Sequence, residues 1–175
     1  SGCFKVFENE IIFVFPSIFA LTTLNEFYSS SKIFPIDVKN VTIYANEVIV
    51  DSVLRWKHNT DLTLICKKNI TFNKEGKIIN EGSGTITLKA GIEDDEHSGT
   101  VIFNGHSNQI YAEGGGKVII HYNPILETDD ACKYCNPHSY SKYVVPHSAL
   151  TSYMLVNTIE DLQNITSFLH GNYAL

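Results

Sequence analysis

Three short blocks in the middle of the chain share one alternating pattern: Val41-Thr-Ile-Tyr-Ala45, Leu62-Thr-Leu-Ile-Cys66 and Ile86-Thr-Leu-Lys-Ala90. Each alternates apolar with mostly polar residues, which is the period of a strand with one face buried, and each is too short for a helix. Their starts lie 21 and 24 residues apart, a spacing at which each repeat is one unit that buries its apolar side against the next copy. A short second strand follows each lead strand after a polar corner: Glu47-Val-Ile-Val-Asp51, Asn69-Ile-Thr-Phe-Asn73 and Gly99-Thr-Val-Ile-Phe-Asn104. Gln109-Ile-Tyr-Ala112 and Lys117-Val-Ile-Ile-His121 continue the series.

Corners such as Asn73-Lys-Glu-Gly76, Glu81-Gly-Ser-Gly84, Asn104-Gly105 and Gly114-Gly-Gly116 are rich in turn formers. Asn-Gly also suits two-residue hairpins, so an antiparallel sandwich competes. Recurrence of one motif in one phase favours stacked coils, because sandwich strands have no reason to resemble each other at a fixed period. In that register Cys66 takes the place of Ala45 and Ala90, and it reads as a small interior hydrophobe with no chemical role.

The stretch from Val41 to Pro124 resembles the repeat region of filamentous haemagglutinin-like exoproteins of bacterial two-partner secretion. The resemblance is carried by Val41 to Val50, by Leu54-Arg-Trp56 with Asp61-Leu-Thr-Leu64, by Gly84 to Gly91 and by Gly99 to Phe103. Tyr122-Asn-Pro124, Tyr153 to Ile165 and Gly171 to Leu175 extend it. It implies an all-β fold, a right-handed parallel β-helix (solenoid), in a secreted or surface-displayed bacterial adhesin. The implied partners are a host or neighbouring-cell surface protein or glycan, and an outer-membrane transporter for the parent protein. The chain lacks an Asn-Pro-Asn-Leu-like secretion signature, and residues 1–38 match no part of the family pattern.

Four regions follow. Residues 1–38 form an apolar N-terminal capping segment, with strands over Phe4–Phe7 and Ile11–Phe15 covering the open end and a short helical turn over Leu21–Tyr28. Its longest apolar run is too short to span a membrane, contains Pro16, and follows Glu8 and Glu10 where a signal peptide would be basic. Ser1 in place of an initiator Met reads as a processing boundary, with Ser1-Gly2-Cys3 as a remnant lipobox the lesser alternative. Residues 39–124 are the coils, and 125–148 are an extended excursion rich in turn formers. Residues 149–175 hold a strand, a helix and the start of a further coil. Thr158-Ile-Glu-Asp161 fits a capping box, and Ile159, Leu162, Ile165 and Leu169 share the helix face expected to pack on the coils.

The formal net charge is −6 and the thirteen basic residues form no stripe, which argues against nucleic-acid binding. Cys132 and Cys135, with His138 and His147, offer a tetrahedral zinc set, but the spacing to the histidines is no common finger pattern. In an exported protein a local Cys132–Cys135 disulfide, or a pair of free thiols, is the favoured reading. Glu93-Asp-Asp-Glu96 with His97 is a candidate calcium or acid/base cluster, yet consecutive carboxylates in one corner diverge. Asn40-Val-Thr42, Asn69-Ile-Thr71 and Asn164-Ile-Thr166 match the glycosylation pattern and read as structural asparagines. Trp56 and Tyr44 offer an aromatic platform, or simply stacking between coils.

No serine elbow, His-Glu-x-x-His pair or phosphate loop occurs in the sequence. No catalytic residue and no cofactor are assigned, and the expected role is non-enzymatic display of corner loops for attachment. Two alternatives remain. A carbohydrate-active β-helix enzyme would require Asp51, Glu75, Glu93 and Glu113 to converge on one groove. A zinc-stabilised interaction module would require Cys132 and Cys135 to order the excursion.

Overall fold

The computed structural model describes residues 3–7, 10–20, 39–92, 98–124, 132–135 and 137–175, with side chains from residue 39 onward except that of 167. It is mostly β, with parallel sheets and one short helix. The strands are β1 (Cys3–Phe7), β2 (Glu10–Ala20), β3 (Asn40–Val50), β4 (Val53–Trp56), β5 (Asp61–Cys66), β6 (Ile70–Phe72) and β7 (Lys77–Asn80). They continue as β8 (Ile86–Ala90), β9 (Val101–Phe103), β10 (Ile110–Ala112), β11 (Val118–Tyr122), β12 (Val144–Val145), β13 (Leu150–Leu155) and β14 (Tyr173–Ala174), with helix α1 (Ile159–Asn164) between the last two.

The larger sheet runs β1-β2-β3-β5-β8-β11-β13-β14, and the smaller runs β12-β10-β7-β4. Neither sheet closes on itself. A short third row, β6 and β9, extends from the far half of β3. Every described pairing is parallel except that of β1 with β2. Parallel neighbours need a crossover between them, and from β3 to β13 the crossovers of the larger sheet carry the strands of the other rows, while that from β13 to β14 carries α1.

Register makes the repeat physical. Val41, Leu62, Ile86, Val118 and Leu150 are successive partners, as are Ile43, Leu64, Leu88 and Ile120. Ala45, Cys66 and Ala90 form the third inward column, all buried. Thr42, Thr63 and Thr87 stack on the opposite face. Because side chains alternate strictly along a strand, a slip of one residue would expose all three apolar columns, and their burial fixes the register. Each fully buried Leu or Ile contributes about 1.5–3 kcal/mol.

The third inward column changes character along the stack. Beyond Ala90 it passes to Tyr122, whose partner is Met154, and then to Tyr173. Among the described residues β9 is the last strand of the third row, and there Phe103 stacks on Tyr143 at 4.3 Å between ring centroids and meets Tyr140 edge-on at 6.0 Å. Tyr122 meets Tyr140 at 5.1 Å. Large aromatics thus pack against β9, keeping the interior close-packed.

Corners stack as closely as strands. A Cβ on Gly84 would collide with the Thr60 carbonyl, and one on Gly116 with the Gly84 carbonyl, so successive corners approach too closely for any side chain.

Several expectations are corrected. The Val41 and Glu47 segments form one continuous strand, β3. Of the smaller sheet β10 was expected, over Gln109 to Ala112, but β4, β7 and β12 were not, since they are two to four residues long and their sequences carry no clear alternation. The stretch expected to stay outside the stack over 125–148 rejoins it as β12, which pairs with β10. β2 is a full parallel partner of β3, and only β1 turns antiparallel at the edge. Pro16, which lacks an N–H, lies where that register shifts between Phe15 and Ile18. The helical turn over 21–28 lies outside the described residues. α1 begins as expected, with Thr158 as N-cap, but its apolar face is not packed: Ile159 is 75%, Leu162 50% and Leu169 74% exposed. Ile165 alone of the four packs against the core. The buried residue of α1 is Asp161.

Candidate functional site

The densest polar construction outside the strand rows is where the excursion meets the end of β13. Asp161, at the third position of α1, donates its backbone N–H to Thr158 Oγ1 at 3.0 Å, and its Oδ2 accepts the Asn157 N–H at 3.1 Å. This capping arrangement places a carboxylate at the helix start, where the unsatisfied N–H groups favour negative charge. Asp161 Oδ1 accepts from Lys133 Nζ at 2.7 Å. Burial alone would push this carboxyl up, but the hydrogen bonds from Lys133 and Asn157 hold it below its ordinary value.

Next to Lys133, Tyr134 is fully buried and donates its hydroxyl to the Leu155 carbonyl at 2.8 Å. Burial first, and then the charge of Asp161, push its hydroxyl well above the ordinary tyrosine value. Cys132 and Cys135 flank this pair and are joined to each other by a disulfide, with Cα atoms 5.4 Å apart and the Cys135 N–H donated to the Cys132 carbonyl. Asn157 Nδ2 donates to Asn123 Oδ1 at 2.7 Å, which links the site to the end of β11.

The four candidate zinc ligands are not assembled. The two sulfurs are committed to each other, and among the described residues no group of three or more His, Cys, Asp or Glu is placed to hold a metal ion. The His138 ring lies tilted against Tyr140 at 4.5 Å, and its backbone N–H is donated to the Tyr122 hydroxyl. His147 is exposed in the single turn that follows Pro146.

The other sequence candidates separate in the same way. Trp56 is buried and donates Nε1–H to the Thr60 carbonyl at 3.1 Å, so it offers no platform, while Tyr44 is 41% exposed on the larger sheet. Asn69 accepts the Thr100 N–H in its side chain, as a structural asparagine would. Asp51 follows β3, Glu75 precedes β7 and Glu113 follows β10. The cluster from Glu93 to His97, with its proposed calcium or acid/base role, lies outside the described residues.

Sequence reasoning missed the buried amides. Gln109 Nε2 donates to the carbonyls of Asn73 and Gly76 at 2.7 and 2.8 Å, and its Oε1 accepts the Gly105 N–H at 3.0 Å. Asn80 spans its own corner between the Gly82 N–H and the Gly84 carbonyl, and Asn123 donates to the carbonyls of Gly91 and Gly99. The signal in the sequence is an amide residue at a strand end, which reads equally well as a surface turn. The Gln109 and Asn80 amides are spent on backbone groups, and Asn123 Oδ1 is spent on the Asn157 side chain. Among the described residues no helix is long and apolar enough to cross a membrane. Comparison with protein-family models, with curated proteins and with solved structures finds no match for this chain.

Proposed function

We propose that the parallel rows are the faces of successive coils of a right-handed parallel β-helix, and that this chain is a display segment of an exported adhesin similar to filamentous haemagglutinin. The observation that carries this reading is the in-phase register of Ala45, Cys66 and Ala90 across β3, β5 and β8. Such a stack grows by about 4.8 Å per coil and presents its corners sideways. The Cys132–Cys135 disulfide suits an oxidising compartment such as a cell exterior. Asp51 and Glu75 lie on stacked corners, whereas Glu113 lies at a different corner, after β10, and that separation supports display over glycan cleavage.

The contact surface is the excursion from Glu127 to Ser148, where His138, Ser139, Ser141, Lys142 and His147 are exposed. Its partner is a surface protein or glycan of a host or neighbouring cell, and an outer-membrane transporter exports the parent protein. The test is binding of the fluorescently labelled chain to cultured epithelial cells and to bacterial cells. Saturable binding that falls at least fivefold in a His138→Ala, Lys142→Ala, His147→Ala variant supports the proposal. Binding no greater than that of heat-unfolded chain, or release of reducing sugar from a polysaccharide panel, overturns it.

A further inference from the structure

Lys133 and Tyr134 are enclosed between the two bonded sulfurs and point to two different elements. Lys133 reaches the Asp161 carboxylate of α1 at 2.7 Å, while the Tyr134 hydroxyl reaches the last carbonyl of β13, Leu155, at 2.8 Å. The Tyr134 ring also meets Tyr173 of β14 edge-on at 5.7 Å. Three elements of the C-terminal segment are therefore tied to one four-residue ring. Closing the ring removes backbone freedom between the two anchors, so that forming either contact positions the other.

We propose that the Cys132–Cys135 disulfide is a thiol-exchange site that latches β13, α1 and β14, and that its reduction loosens this segment while the rows from β3 to β10 stay intact. Cys132 is exposed, so a soluble thiolate can reach its sulfur. Attack there forms a mixed disulfide on Cys132 and expels the Cys135 thiolate, which takes a proton. A second thiol then attacks the mixed disulfide, leaving two protein thiols and one oxidised disulfide of the reductant. Cys66 does not enter the exchange, because it is buried at 1% exposure. The segment keeps its strand pairing to β11 and the Asn157–Asn123 bond, so the response is local loosening and not release.

The proposal is tested by amide hydrogen exchange of the full chain in a Cys3→Ser background, with and without dithiothreitol, with alkylation mass reporting the state of the pair. Reduction is expected to speed exchange over residues 150–174 on the order of tenfold and to leave 40–112 unchanged. A Cys132→Ser, Cys135→Ser variant should show the faster pattern without reductant and no response to it. Unchanged exchange over 150–174 after verified reduction overturns the latch. So does an equal rise through the whole chain, and so does a pair that dithiothreitol fails to open in the folded protein.

Discussion

Cys66 sits between Ala45 and Ala90, in the stretch of the third inward column filled by small side chains, and burial pushes its thiol up to about 12. Two outcomes follow. The folded chain should leave Cys66 unmodified by iodoacetamide at pH 8, with modification appearing only in denaturant, as mass spectrometry would show. Cys66→Leu should lower stability by about 1–3 kcal/mol in urea unfolding, through overpacking of a filled column. Gln109 is the opposite kind of residue, polar but 1% exposed, with both ends of its amide spent on three backbone groups of two corners. Gln109→Ala strands those groups, and a loss of about 2–3 kcal/mol is expected in the same measurement.

At the scale of elements, α1 depends on a charge and not on its apolar face. Ile159 and Leu162 are largely exposed, so substituting either by Ala should change stability by less than about 0.5 kcal/mol. Asp161→Ala removes the capping carboxylate and leaves Lys133 without its anion, and should cost about 3 kcal/mol. The Asp161 carboxyl titrates lower in the folded chain than in the unfolded one, so the unfolded chain binds its proton first as the solution is acidified. Its contribution is therefore present above the ordinary carboxylate range near pH 4 and is lost as pH falls through the depressed value. Urea midpoints taken from pH 5 down to pH 2 should fall in the native chain and flatten in Asp161→Asn.

For the whole molecule, two of the described histidines, His121 and His138, favour a decline of stability in mild acid. Burial, then the charge of Lys89, holds the His121 ring below its ordinary value, and burial, then Lys142, does the same for His138. Both rings are favoured neutral in the folded chain. As pH falls through about 6.5 the unfolded chain takes up these protons first, so stability should decline between pH 7.5 and 5.5, and less steeply in a His121→Gln, His138→Gln variant. For His121 that balance was invisible in the chain itself, because Lys89 and Tyr153 lie on other strands, whereas Tyr140 and Lys142 are close to His138 in sequence. The lead strands were legible, since alternation over five residues is a local consequence of one buried face, and the equivalence of Ala45, Cys66 and Ala90 followed from their shared phase. The strands β4 and β7 and the return of β12 were not, because two to four residues pair only when the rest of the stack positions them. The joining of Cys132 to Cys135 stood among several readings of two nearby thiols. The period and the buried column could therefore be read before any fold was known, because they are properties of neighbouring residues. Left to the folded chain were the long-range polar partners, such as those of the Gln109 amide and the pairing of Lys133 with Asp161, because a hydrogen bond between residues 28 apart leaves no local trace.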